Sequence, residues 1–386
     1  MLKEYLSRDR LDRRDAALAT RLCYGVVQNR GLLDFYLGQL LTGKVKSLHP
    51  AVRDILHLGL YQIFLMDKIP ESAAVNESVD LTKKYCKKLR SAPGLVNGVL
   101  RNAVRSKDTL QQPKSWEDKY SHPGDLINEL KAYVGKERME AMLQANNAIP
   151  PLVVQVNTLK TTAGELIAKL EAVKDGLFYV QDPASKLSVL CAELPQENIK
   201  VLDCCAAPGG KSFAAAIATG GKAQITSCDV HEHKAELIAK GAQRLGLPIQ
   251  AMQQDATCFR PEWENAFDAV IVDAPCSGYG IIRKKPDIRY KDVVKMKELP
   301  TLQRAILEVQ CRYVKPGGLF MYSTCTLVHG ENEGMVASFL KDHPEFHLEP
   351  LPLPEVFPKN ESGQLPLIPG EYDTDGFFIS RLRRNV

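Results

Sequence analysis

Two thiols stand where side-chain chemistry is expected. Phe267-Asp-Ala-Val-Ile-Val-Asp-Ala-Pro-Cys-Ser-Gly278 places Cys276 just beyond an apolar run that ends in Asp273, and Met321-Tyr-Ser-Thr-Cys-Thr326 places Cys325 just beyond another. Short apolar runs of this kind read as buried strands, and neighbouring strands lie about 4.8 Å apart. Both sulfurs are therefore expected to face one pocket. A thiolate is a strong nucleophile, and one substrate that needs it is a pyrimidine whose C5 must be made reactive. Cytosine C5 attacks an electrophilic methyl group only after a thiolate has added at C6. The second thiol would then assist release of the product, and Asp273 would hold the base near N3. Lys211 or Arg283 is the cation expected to favour the thiolate. Most of the ten cysteines read as small buried hydrophobes. None forms a CxxC pair, so neither a metal site nor a disulfide framework is expected.

A second constellation precedes the thiols. Val201-Leu-Asp-Cys-Cys-Ala-Ala-Pro-Gly-Gly-Lys-Ser212 reads as strand, glycine turn and helix start. In an open α/β sheet, ligands bind beyond the carboxyl ends of the strands. Gly209 and Gly210 would let backbone approach a ligand closely. The phosphate loop GxxxxGK[ST] fails here because Cys205 stands at its first glycine, and GxGxxG is absent. Asp229 closes the next strand, suited to a ribose diol, and Asp255 comes after the third, where an adenine amino group would lie. The series Cys205, Ala206, Ala207, Pro208, Gly209, Gly210, Lys211, Asp229, Asp255 and Asp273 suits S-adenosylmethionine.

The elements that position these residues can be read from periodicity. From about residue 199, short apolar runs at Lys200–Asp203, Ala223–Asp229, Ala269–Asp273 and Gly318–Ser323 alternate with helical patterns at 211–218, 233–245 and 301–313. That alternation predicts a parallel, doubly wound sheet, with a last strand at 376–382. The first ~105 residues read as all helix, broken at His49-Pro50 and Ile69-Pro70. A polar stretch, 106–125, reads as a linker; after it come a helix over 125–146, a strand at 152–156, a helix over 162–173 and a strand at 178–180. The predicted organisation is a helical domain at 1–110, a linker with a small α/β subdomain at 111–180, and a cofactor domain at 181–386.

Charge divides unevenly. Residues 1–110 carry 19 Lys/Arg and 11 Asp/Glu (+8), whereas the remainder carries 31 and 35 (−4). A basic helical domain points to an anionic partner. Lys83, Lys84, Lys87 and Lys88, read on one helix around 81–89, form like-charge i,i+4 pairs that a phosphate backbone would neutralise. No apolar run approaches the ~18 residues of a membrane span, and no secretory leader is evident. The reading is a monomeric, cytoplasmic protein without membrane attachment.

Taken together, these motifs resemble the NOL/NOP/Sun family of RNA cytosine-C5 methyltransferases over nearly the whole chain. Gln181-Asp-Pro-Ala-Ser185, Asp203 to Lys211, Asp273-Ala-Pro-Cys276, Ser323-Thr-Cys325, Asn332-Glu333 and Asp375-Gly-Phe-Phe378 carry the likeness. Leu22-Cys-Tyr-Gly25, Val75-Asn-Glu-Ser78 and Leu95-Val-Asn-Gly-Val-Leu-Arg-Asn102 resemble a NusB-like RNA-binding domain. The resemblance implies a NusB-like helical domain, a small α/β subdomain and a Rossmann-like class I methyltransferase domain. It implies S-adenosylmethionine as cofactor, Cys325 as nucleophile, Cys276 in product release, and small-subunit (16S) ribosomal RNA as partner. Arg283 and Lys284 resemble a basic family segment and become candidate RNA contacts. Three departures are visible: Gln155 stands where the family has arginine, Pro183 where it has glutamate, and most of the first family helix is expected to be missing. A transfer RNA methyltransferase of the same chemistry and a non-catalytic RNA-binding assembly factor remain as alternatives.

Overall fold

A computed structural model describes residues 5–6, 11–167 and 175–386. It divides into two compact units, Met1–Asn128 and Glu129–Val386.

In the first unit, helices Arg13–Gln28, Arg30–Leu40, Pro50–Leu65, Glu71–Tyr85 and Ala92–Ser106 match the predicted apolar period. Asp12 caps the first by accepting from the Arg14 and Asp15 amides, and Pro50 opens the third, where a missing N–H costs nothing. Leu33, Leu37, Leu56, Leu60, Val96 and Leu100 are fully buried in its core. The 81–89 helix is corrected. It ends at Tyr85, with Cys86 as its C-cap, so Lys87 and Lys88 fall in the next turn. Lys83 and Lys84 sit in the last helical turn, where the helix dipole already favours cations, and Lys83 pairs with Asp80 at 2.8 Å. The crowding that was to call for phosphate is therefore absent. The polar stretch is not a free linker either. Trp116–Tyr120 is helical, Ser121 Oγ accepts from the Leu32 amide at 2.9 Å, and Tyr36 donates to Gln112 at 2.8 Å.

The helix expected over 125–146 is two, Gly124–Val134 and Lys136–Asn147, separated by Gly135 at φ +84°. Strands β1 (Val154–Val156) and β2 (Phe178–Val180) pair antiparallel. Between them Ala163–Ile167 is helical, and the rest of the predicted 162–173 helix lies outside the described residues. This small region is joined to the helix Glu232–Leu245, because Asn157 donates to the Leu245 carbonyl at 2.8 Å.

The main sheet contains β3 (Lys200–Asp203), β4 (Gln224–Asp229), β5 (Ile249–Gln253), β6 (Phe267–Asp273), β7 (Val314–Thr324), β8 (Phe346–Leu348), β9 (Gln364–Leu367) and β10 (Phe377–Arg384). Its order is β5-β4-β3-β6-β7-β10-β8, with β9 also on β10. Strands β3 to β7 are parallel, whereas β10 runs antiparallel to β7, β8 and β9. The parallel, doubly wound core predicted from alternation is present, and the last strand, whose direction period alone does not carry, adds an antiparallel edge. Both faces are covered. Val201, Ile271 and Met321 enter one core while Leu202, Val270, Val272 and Phe320 enter the other, as the alternation of strand side chains requires. The order reverses between β3 and β6, so the loop after β3 leaves at the switch point where such sheets bind ligands.

Two glycines in the helical unit make opposite predictions. A Cβ on Gly25 would lie 2.1 Å from the Tyr61 ring, whereas one on Gly98 meets nothing within 4 Å. Gly25→Ala should destabilise the helical unit by about 1–3 kcal/mol through overpacking. Gly98→Ala should stabilise it by up to about 1 kcal/mol. Thermal unfolding of the two variants checks both signs.

Candidate active site

The site is assembled at the carboxyl ends of β3, β4, β6 and β7. The loop after β3 is stitched to both neighbouring strands: the Cys204 amide donates to the Ile271 carbonyl at 3.1 Å and the Ala206 amide to the Cys228 carbonyl at 2.8 Å. Gly209 sits at φ +106°, a region glycine enters without penalty, and opens the helix Gly210–Ala218. Its need for glycine is internal, since a Cβ there would strike the Phe213 ring at 2.5 Å. Close packing of this turn, rather than approach of a ligand, is what the structure makes visible.

The carboxylates expected around this loop stand at successive strand ends. Asp229 is buried, with one oxygen accepting from the His231 amide at 3.0 Å. Asp255 is exposed, with one oxygen taken by the Thr257 amide and hydroxyl at 2.8 and 2.7 Å. Asp273 is clamped: Lys211 Nζ donates to one oxygen at 2.6 Å and Ser323 Oγ to the other at 3.0 Å. Lys211 itself is buried, also donates to Ser185 Oγ at 3.1 Å, and lies 4.9 Å from the Phe377 ring centre. Asp203 lies fully buried beneath the loop, accepting from Ser212 Oγ at 2.6 Å on one oxygen while the other has no hydrogen-bond partner.

Strands β6 and β7 pair with Asp273 opposite Ser323, so the two cysteine loops leave the sheet side by side. Cys276 Sγ and Cys325 Sγ lie 3.2 Å apart, as the adjacency of the two strands predicted. Hydrogen bonding to Cys325 and then burial push the Cys276 thiol above its ordinary value. Around the pair, the Gly280 amide donates to the Cys325 carbonyl at 2.9 Å and its own carbonyl accepts from the Gly376 amide at 2.8 Å. A Cβ at Gly280 would lie 1.9 Å from the Gly376 oxygen, so three loops meet at a point only glycine fits.

Neither cation proposed to favour the thiolate makes a hydrogen bond or ion pair with it. Lys211 is committed to Asp273 and Ser185, and Arg283 is buried among Asp375 (2.9 Å), Asp373 (3.3 Å) and Asp182 (3.8 Å). Lys284 joins the same cluster through Asp182 at 2.6 Å and Asp375 at 2.7 Å. The two residues read as RNA contacts thus tie three loops together inside the unit. Gln155 is buried, its side chain donating to the Gln181 carbonyl at 3.4 Å. Pro183 is explained locally, because it occupies the first turn of the helix Pro183–Leu190 behind the N-cap Asp182. Glu331, Gln303, Gly280 and Tyr133, which hold these loops, escaped the sequence reading; the only hint of the first was its place beside Asn332-Glu333.

Fold and site define a class: a methyltransferase with the S-adenosylmethionine-dependent fold. Family models match in the same order, NusB family over residues 1–105, an RsmF/B-like ferredoxin-like domain over 122–186, and 16S rRNA methyltransferase RsmB/F over 191–383. The probable ribosomal RNA small subunit methyltransferase B of Bacillus subtilis is 34% identical, covering 100% of this chain and 94% of its own. The ribosomal RNA small subunit methyltransferase B of Vibrio cholerae is 32% identical over 96% and 90%. Among solved structures, PH0851 superposes with a TM-score of 0.80 at 25% identity, covering 99% of this chain and 93% of that one. NSun6 from Pyrococcus horikoshii, solved with SFG, gives 0.59 at 19% identity over 68% and 98% and shares the fold. The chain belongs to the 16S rRNA methyltransferase RsmB/F family. S-adenosylmethionine is its cofactor; Asp229, with one oxygen outside its His231 bond, and the exposed Asp255 leave acceptors that would suit it. Among the described residues, no helix is long and apolar enough to cross a membrane.

Burial pushes the Asp203 carboxyl up to about 6, against about 3.9 in an unfolded chain. Between those values the folded state holds a proton the unfolded chain has lost, so this residue's contribution to stability falls as pH rises. Relative to Asp203→Asn, the wild type should lose roughly 2–3 kcal/mol of stability between pH 4 and pH 7. Denaturant unfolding of both proteins across that range checks the sign.

Proposed function

We propose that the protein methylates C5 of a cytosine in 16S ribosomal RNA through a covalent adduct, with Cys325 as nucleophile and Cys276 as its proton partner. The observation that carries this reading is the 3.2 Å approach of the two sulfurs beside Asp273. In the starting state Cys276 is a thiol donating to the Cys325 thiolate. The thiolate adds to C6, and the displaced π pair moves to C5, N3 and O2. Asp273, held between Lys211 and Ser323, orients the ring by accepting from its amino group. S-adenosylmethionine supplies the electrophilic methyl group that C5 takes. Cys276 then passes its proton to the Cys325 sulfur as the C6–S bond breaks. Its own sulfur takes the C5 proton, and that C–H pair restores the C5–C6 double bond.

Residues Cys205 to Lys211, with Asp229 and Asp255, are assigned to the cofactor. Asp229 suits the ribose diol because one of its oxygens remains beyond the His231 bond, and Asp255 lies where the adenine amino group is expected. A stacked base hides C6, so the target cytosine must be unpaired or flipped outward. The basic helical unit is assigned to RNA; Lys84, Lys87 and Lys88 remain candidates for its phosphates.

Cys325→Ala should abolish methyl transfer while cofactor binding persists, and ordinary turnover in that variant would end the reading. Cys276→Ala should accumulate a denaturation-resistant protein–RNA adduct, visible as a gel shift. Mapping 5-methylcytosine in cells lacking the protein should show one site lost from small-subunit ribosomal RNA; loss from transfer RNA instead would reassign the substrate.

A further inference from the structure

Two adjacent buried residues hold the two cysteine loops separately. Glu331 is 2% exposed and Asn332 0%. One carboxylate oxygen of Glu331 accepts from the Ser277 amide at 2.9 Å and from Gln303 Nε2 at 2.9 Å, and the same Gln303 amide donates to the Pro275 carbonyl at 3.0 Å. Both neighbours of Cys276 are thus fixed. Asn332 does the same for Cys325: Thr324 Oγ1 donates to its carbonyl oxygen at 2.6 Å, and its amide donates to the Thr326 carbonyl at 3.1 Å. The residues just after each cysteine also meet, Ser277 Oγ lying 2.5 Å from Thr326 Oγ1. Tyr133 anchors the far side, accepting from Asn332 Nδ2 at 3.3 Å and donating to Glu333 at 2.8 Å.

We propose that Glu331 and Asn332 form a positioning clamp that sets the separation of the two sulfurs, so that Cys276 and Cys325 share one proton. Neither side chain hydrogen-bonds to a sulfur; each acts through the backbone and hydroxyl groups beside one. A carboxylate is an unfavourable group to bury, and burial does push the Glu331 carboxyl up. What the clamp needs is one acceptor oxygen that takes an amide from the Cys276 loop and an amide from Gln303 at once. Its neighbour Asn332 supplies a donor and an acceptor pointed at opposite sides of Cys325. With both on consecutive residues, movement of one loop is transmitted to the other within one peptide unit.

The inference rests on the two-thiol reading above, so its test has a readout that does not require turnover. The full-length protein, with the exposed Cys23 and Cys258 changed to Ser, is treated with an aryl disulfide that releases a coloured thiolate. One active-site thiolate displaces the first aryl thiolate, forming a mixed disulfide. The neighbouring thiolate then displaces the second, closing the Cys276–Cys325 bond with loss of two protons in all. The second step is intramolecular, and peptide mass mapping verifies its product. Glu331→Ala and Asn332→Ala should slow that step by at least about tenfold and lower kcat by about tenfold to a hundredfold, as misplacement of reacting groups by an ångström does. KM for RNA and cofactor affinity should stay within about twofold, because neither residue is assigned to a ligand. Glu331→Gln, which keeps an acceptor oxygen, should restore both rates, whereas Asn332→Asp, which sets an acceptor against the Thr326 carbonyl, should not. Should an alanine variant fail to fold, the Gln and Asp variants decide. An unchanged second step in folded variants overturns the clamp. A Gln variant as impaired as the Ala variant also overturns it, since the acceptor would not be what matters. A slowed second step with undiminished turnover keeps the clamp and sinks the two-thiol mechanism instead.

Discussion

The parallel pairing of β6 with β7 is the constraint on which the rest depends. Asp273 faces Ser323 across that pair, and the Ala274 amide continues the ladder to the Ser323 carbonyl at 2.9 Å. Both strands end at the same level, so the two loops beyond them leave together. Two thiols separated by 49 residues of sequence are thereby brought to van der Waals range without any local motif joining them. A one-residue slip of register would turn Asp273 and both cysteine loops toward the other face. Burial of Val270, Val272, Phe320 and Tyr322 on one side and Ile271 and Met321 on the other makes such a slip prohibitive.

Electrostatics then divides the work among carboxylates that look alike in sequence. Asp273 has both its oxygens satisfied, one by the buried Lys211 side chain and the other by the Ser323 hydroxyl. Asp203, one strand away, has a single hydroxyl partner and is pushed toward its neutral form. Asp182 and Asp375 are neutralised by Arg283 and Lys284, which closes the wall beside Gly280 and Gly376. Buried charge in this unit is therefore paired close to the thiols, and the cations expected to favour a thiolate, Lys211 and Arg283, are occupied elsewhere. Each sulfur has the other as a neighbour at 3.2 Å. In the proposed mechanism a proton shared between the two thiols would leave one of them anionic without a cation in contact and would provide a returning proton when the carbon–sulfur bond breaks.

The strand ends, the glycine turn and the two cysteines were legible because apolar runs that stop at an acid or a small residue encode both a strand and its end. Lys83 to Lys88 misled because a run of cations suggests one charged helix face, whereas the C-cap at Cys86 divides them. Arg283 and Lys284 misled because their partners Asp182, Asp373 and Asp375 lie 90 to 102 residues away in sequence, and a single sequence does not show tertiary pairing. The same holds for Glu331, Gln303 and Gly280: each acts through backbone groups of a distant loop, and no residue-type pattern marks that. Strand direction at β10 was hidden for a simpler reason, since an alternating strand reads the same in either sense.

The most direct measurement uses RNA carrying fluorine at C5 of the target cytosine, which cannot leave as a proton and so halts the reaction after methyl transfer. Incubated with the protein and S-adenosylmethionine, it should yield a stable adduct in which mass mapping finds the base attached to Cys325, with one methyl group added. Attachment at Cys276, or methyl transfer with no bond to either cysteine, would contradict the account.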